Sequence, residues 1–334
     1  MIPVSNIKPA YAFATASRQG LFVAGGQKVF TSPDGYNWTE RFDFTGAALV
    51  GGLAYNPTTK RVVAALGANN FAYSTDGTNW TESTLPSDTN SQAVVWSAND
   101  GQYVMVGGAY STSSVYTSTN GTSFTQRNRG YVDMTALDID YSPTLDLYVI
   151  AGSPNTGAPT ASILTSSDAL TWTAYSPIYN SVAVEPSHRA VRWCGSSFGF
   201  LATSNNSYRI TRSTNGTTWD VILFEASSNY NFSDLAYSPT LNMVAFISPS
   251  TFTFSIATTT DLNTYTFRET PTLSSGQAWN SICWSAELGM FVAVGGSTLV
   301  NTADMIMTST DGINWYRREC AIANFQDVIW CNGL

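Results

Sequence analysis

One seven-residue pattern returns along the chain at near-even spacing, and nothing else in the sequence restricts the fold as much. It reads Ser32-Pro33-Asp34-Gly35-Tyr36-Asn37-Trp38, then Ser74-Thr75-Asp76-Gly77-Thr78-Asn79-Trp80. Five further copies centre on Asn120, Asp168, Asn215, Asp261 and Asp311, and the seven centres lie 42, 44, 48, 47, 46 and 50 residues apart. An Asp or Asn that accepts N–H bonds from the residues after it, followed by a Gly free to take φ > 0, is hairpin-turn chemistry. Copies four and six carry Ala169 and Leu262 where the others have Gly, so their turns are expected to be strained or differently shaped. Four residues after each Asp or Asn comes an aromatic ring, expected to anchor the turn on a neighbouring sheet.

A second repeated position gives the same count. Tyr55, Trp96, Tyr141, Trp193, Tyr237, Trp284 and Trp330 each end an apolar run, and two residues earlier stands an aliphatic: Leu53, Val94, Ile139, Val191, Leu235, Ile282 or Val328. Spacing of two puts both on one strand face. The seventh copy exists only if the C-terminal segment is counted, so the last strand is expected to complete the first unit. Short strands at this spacing, without helical periodicity, imply an all-β, seven-bladed β-propeller of four-stranded antiparallel blades, closed by pairing of the N- and C-terminal segments. At 334 residues a two-domain chain is the ordinary expectation, but seven units account for almost all of it. The reading is one domain, 1–334, with blades at about 10–43, 47–84, 92–128, 134–176, 188–224, 231–269 and 279–318, and with 325–331 closing the first.

Composition narrows function by exclusion. Net charge is −8, with lysine only at 8, 28 and 60, which argues against nucleic acid as a partner. No apolar run reaches membrane-spanning length, and the N-terminus lacks a signal-peptide pattern, so neither membrane insertion nor a secretory leader is expected. The four cysteines (194, 283, 320, 331) show no CxxC and read as buried free thiols. No phosphate-cradling glycine motif opens a helix, and no cofactor is expected. The one histidine, His188, lies beside Arg189 and reads as a solvated loop side chain.

The seven turns resemble the Asp-box (BNR) repeats of sialidase-like propellers, whose pattern is Ser-x-Asp-x-Gly-x-Thr-Trp. Here the Gly follows the Asp directly and the loop is one residue shorter. The resemblance implies turns between third and fourth strands, on the face opposite any catalytic site, which would make Asp34, Asp76, Asn120, Asp168, Asn215, Asp261 and Asp311 structural. It also implies an arginine triad, the first arginine in an Arg-Ile-Pro-like motif. This chain has Ile2-Pro3-Val4 without the arginine, so sialidase chemistry is not expected and no catalytic residue is assigned.

Candidate binding residues fall in two groups. Asp138, Asp234 and Asp327 each lie three residues before an inner-strand aromatic and, with Gly52, Ala93, Ala190 and Ser281, would ring the upper channel mouth. They either line a solvated channel or hold an axial cation or polar ligand; a metal is neither assigned nor excluded. Tyr131, Tyr179 and Tyr230 punctuate the variable loops of that face, where tyrosine suits stacking on a sugar. Few lysines, abundant Ser, Thr, Asn and Gly, and short Asp-Gly-x-x-Trp repeats resemble surface proteins of tailed-phage virions. The expected function is therefore a non-enzymatic binding or structural propeller on a virion surface, contacting a glycan or another coat protein. The alternatives are an extracellular location and a glycan-processing enzyme of sialidase-like fold.

Overall fold

The computed structural model describes residues 20–46, 48–87, 90–107, 114–128, 130, 134–154, 161–179, 182–183, 187–204, 209–223, 231–249, 254–274, 276–297, 303–321 and 323–334. Among these residues seven antiparallel sheets form, arranged as the blades of a seven-bladed β-propeller. The innermost strands are Asp327–Asn332 in blade I, Gly52–Asn56 in II, Ser91–Ser97 in III and Met134–Ser142 in IV. Blades V, VI and VII begin at the axis with His188–Trp193, Asp234–Ser238 and Gln277–Ser285. Each blade runs outward from there through three more strands. Blade V alone among the described sheets has six, because Ile178–Tyr179 and Val182–Ala183 add to its rim, the first pairing parallel with Asp220–Leu223. No described helix is long and apolar enough to cross a membrane.

Burial falls off from the middle of each blade to its rim, and the sequence follows it. Second strands such as Arg61–Ala65 and Phe200–Ser204 are apolar and almost wholly buried, because blades pack on both their faces. Outer strands such as Thr39–Asp43 and Thr125–Asn128 are polar and exposed. Four outer strands are tied inward by an arginine that donates Nε–H to a threonine ten residues earlier: Arg41 to Thr31, Arg127 to Thr117, Arg268 to Thr258 and Arg318 to Thr308, at 2.8–3.0 Å. The cores lie between blades. Val23, Val29 and Cys331 of blade I meet Leu53, Val62 and Trp80 of blade II, and Ala54, Val63 and Phe71 of blade II meet Val94, Tyr103 and Phe124 of blade III.

The repeated turn joins the third strand of each blade to the fourth. In copy two Ser74 Oγ accepts the Gly77 N–H at 3.0 Å and contacts Asp76 Oδ1, which accepts the N–H groups of Thr78 and Asn79 at 2.8 and 2.7 Å. The Trp80 indole N–H then donates to the Gly77 carbonyl at 3.2 Å. Burial alone would raise the Asp76 carboxyl; the N–H groups of Asn79 and Thr78, the Asn79 amide and the Ser74 hydroxyl outweigh it and hold the group at about 2. Asp311 is held at about 2 by the same set of partners. Turns four and six keep the left-handed backbone, Ala169 and Leu262 adopting φ of 58° and 61° beside 68° at Gly77, but in turn four, among the described residues, the Trp172 indole N–H has no acceptor. The hydrogen-bond frame forces a left-handed backbone on residues that resist it. The anchoring rings sit in the cluster shared with the preceding blade, Trp80 at 6.0 Å from Phe44 and Phe124 at 4.9 Å from Phe71.

The chain closes on itself. Gly20–Gly25 pairs antiparallel with Asp327–Asn332, Phe22 opposite Trp330 and Gly25 opposite Asp327. Gly20 allows this, since a Cβ there would lie 2.3 Å from the Trp330 ring. The four cysteines are free, two of them (Cys194 and Cys331) buried and two (Cys283 and Cys320) half-buried. His188 is a correction: it opens the inner strand of blade V, is fully buried, and shares a 2.7 Å hydrogen bond between Nε2 and the Thr211 hydroxyl. Burial pushes its imidazole down to about 3, so it is neutral at ordinary pH.

Candidate functional site: the central channel

An innermost strand has one edge bonded to its blade and one edge facing the axis, where alternate N–H groups have no strand to pair with. The structure answers with three aspartates. Asp327 Oδ1 accepts its neighbour Val328 N–H at 2.8 Å, and Oδ2 crosses to blade II to accept Leu53 N–H at 2.7 Å. Asp138 takes Ile139 N–H and, in blade V, Val191 N–H, both at 2.9 Å. Asp234 takes Leu235 N–H at 2.8 Å and, in blade VII, Ile282 N–H at 3.1 Å. Three carboxylates thus serve six of the seven repeated aliphatic positions, two blades each. The ring residue of each receiving blade is small (Gly52, Ala190, Ser281), which leaves room for the incoming carboxylate. Seven is odd, and the seventh blade has Ala93 at the ring position and Val94 after it. One tier lower, Asp140 Oδ2 repeats the device on Trp193 N–H at 2.6 Å.

Charge is partly balanced within the ring. Arg192 of blade V contacts Asp138 Oδ2 through one guanidinium nitrogen and lies 3.0 Å from Asp234 Oδ1 through the other. Burial works against the guanidinium, and Asp138, Asp234, Asp140 and Asp327 overcome it, keeping its pKa well above the ordinary value. Burial also raises Asp138, to about 7, against the pull of Arg192 and with a push from Asp234. Asp140 and Asp327 are raised, again chiefly by burial. Ser281 Oγ lies 2.9 Å from Asp234 Oδ2 and 2.7 Å from Asp327 Oδ1. One hydroxyl proton can serve only one of those contacts at a time. Among the described residues no group of three or more His, Cys, Asp or Glu side chains is arranged to hold a metal ion.

The channel has a volume of about 1380 Å³. Its lower mouth is lined by half-buried rings, among them Trp96, Trp193, Trp284 and Trp330, each braced by the first ring of the adjacent strand, as Trp284 is by Phe291 at 4.6 Å. Its upper mouth holds residues that sequence reasoning passed over. In blades III, IV, V and VII the inner strand bulges one residue before the ring position, between Ser91 and Ala93, Ala136 and Asp138, His188 and Ala190, and Trp279 and Ser281. The extra residues Gln92, Leu137, Arg189 and Asn280 all line the channel. A bulge re-aims one side chain while the rest of the strand keeps its faces.

Of the sequence candidates, the structure brings Asp138, Asp234 and Asp327 together and does not add tyrosines to them. Tyr131 and Tyr230 lie outside the described residues. Tyr179 is in a short strand on the rim of blade V, not in a loop, with the Arg209 guanidinium 5.8 Å from its ring centre.

No family model matches the chain, and no curated protein matches it. Solved structures do match. A streptogramin B lyase superposes with a TM-score of 0.65 at 12% identity, over 94% of this chain and 95% of that one. The periplasmic gluconolactonase of Pseudomonas aeruginosa gives 0.63 at 10% identity, over 94% and 99%. YCF48 bound to a D1 peptide gives 0.59 at 13%, over 87% and 89%. Identities this low establish the shared propeller fold.

Proposed function

We propose that this chain is a non-enzymatic binding or structural propeller of a virion surface, where it contacts a glycan or a neighbouring coat protein. The observation that carries the reading is the engagement of the channel carboxylates. General acid–base catalysis requires a carboxyl able to exchange a proton with a substrate atom. Asp138, Asp234 and Asp327 instead hold backbone N–H groups of adjacent blades, and two of them clamp Arg192. The turn aspartates are engaged in the same way at the far face, in keeping with the Asp-box resemblance. Folds similar to this one include a lyase, a gluconolactonase and a peptide-bound protein, so fold alone does not decide between catalysis and binding.

A second reading, a glycan-processing enzyme, draws on one observation: the Asp138 carboxyl sits at about 7, where a general acid works. Incubation with a panel of glycans, followed by both retention on a glycan array and release of reducing ends, separates the two. Retention without cleavage is expected. Cleavage that Asp138→Asn abolishes would put the enzyme in its place. Mass spectrometry of purified particles tests the location, and absence of the chain from particles would overturn the virion assignment.

A further inference from the structure

Arg189 is the most conspicuous group that the ring of carboxylates leaves unexplained. It is the bulged residue of blade V and lines the upper mouth of the channel, half-buried. Among the described residues its guanidinium makes no ion pair or hydrogen bond. A half-buried cation without a partner is unfavourable, and burial pulls its pKa down, with only the charge of Asp234 at longer range to offset it. The side chain of Gln92, bulged in the same way from blade III, also makes no hydrogen bond among the described residues. Asn280 and Gln326, at the same level in blades VII and I, donate their amide N–H groups to Phe325 O at 2.7 Å and Asn324 Oδ1 at 3.0 Å, which leaves their carbonyl oxygens as acceptors. The mouth therefore presents a guanidinium fork, a free amide and two carbonyl acceptors around one cavity.

We infer that the upper channel mouth is a saccharide subsite that takes a neutral sugar unit through Arg189, Gln92, Asn280 and Gln326. The inference rests on the binding reading above and names its ligand class and site. Vicinal hydroxyls both donate and accept, and so match a set that mixes fixed donors with carbonyl acceptors. Neutrality follows from what lies beneath. Asp138, Asp140, Asp234 and Asp327 share one guanidinium there, that of Arg192, and the chain carries −8 overall, so the field set against the Arg189 cation opposes a uronate or other acidic sugar. Leu137, from the bulge of blade IV, gives the apolar face of a sugar ring a surface to lie on.

Saturation-transfer NMR with glucose, galactose, N-acetylglucosamine and glucuronate tests it on the full chain, beside Arg189→Met and Gln92→Ala. Gln92→Ala removes an amide without exposing a charge, so a result is obtained even if Arg189→Met unfolds; thermal melting checks both. At least one neutral sugar should bind, more tightly than glucuronate, and each folded variant should weaken it about tenfold or more. Glucuronate binding better than every neutral sugar, no neutral sugar binding, or folded variants that bind as well as the wild type would overturn the subsite. Array binding that persists in both folded variants would sink the subsite and leave the binding propeller standing. Hydrolysis of the array glycans would sink the propeller's binding role itself.

Discussion

At the scale of the residue, one short side chain repeatedly does the work of a missing strand. An aspartate two bonds from the backbone can satisfy N–H groups that secondary structure leaves over, in the turns and again at the axis. In the turns this has a pH signature. The Asp76 and Asp311 carboxyls lie below their ordinary 3.8, at about 2, so their ionised forms stabilise the fold. That contribution is complete above about 4 and is lost as pH falls through about 2. Circular dichroism across pH 2–5 should show stability falling over this window, and the double variant Asp76→Asn/Asp311→Asn should flatten the fall while keeping the fold. Asn already occupies the position at 120 and 215, where its Oδ1 accepts the same two N–H groups. An unchanged acid profile in that variant would remove these carboxylates from the account.

At the scale of the element, the inner strands of blades II, V and VII are held from both sides, by their own blades and by a carboxylate from the blade before. Asp327→Ala leaves two N–H groups without their acceptor, at about 1–3 kcal/mol for each group kept from water. Asp138→Ala does the same and also takes one carboxylate from Arg192, and breaking a buried pair costs about 3–5 kcal/mol. Urea unfolding should therefore rank Asp138→Ala as the more destabilised; the reverse order would argue against the clamp. The strands themselves were legible in sequence because aliphatic and aromatic positions recur two apart, and seven rings needed the last strand to complete the set. The bulges were not. One inserted residue looks the same in sequence whether it lies in the strand or before it, so Arg189 and Gln92 gave no signal. His188 misled for a related reason: the polar segment before it reads as loop, while its place opposite Ser204 depends on pairing that sequence spacing does not reveal.

For the whole molecule, closure and stapling together make a ring from parts that could not stand alone. Deleting residues 325–334 removes the inner strand of blade I, its pairing with Gly20–Gly25 and the Asp327 link to blade II. The melting temperature should drop sharply, and an unchanged melt would contradict closure. The ring of seven positions at the upper mouth was visible as a pattern, but its purpose was not. Spacing along a strand says which face a side chain leaves from, and nothing about an N–H on the next blade that it reaches.

Amide hydrogen exchange, read residue by residue, tests the central claim that the channel carboxylates are mortar between blades. In the wild type, Leu53, Val191 and Ile282 should exchange slowly although each lies on a strand edge that faces the axis. Asp327→Asn, Asp138→Asn and Asp234→Asn change the charge and the acceptor strength, and each should speed exchange at its own pair first: Leu53 with Val328, Val191 with Ile139, Ile282 with Leu235. Fast exchange at these amides in the folded wild type, or variants that leave them as slow as before, would contradict the account.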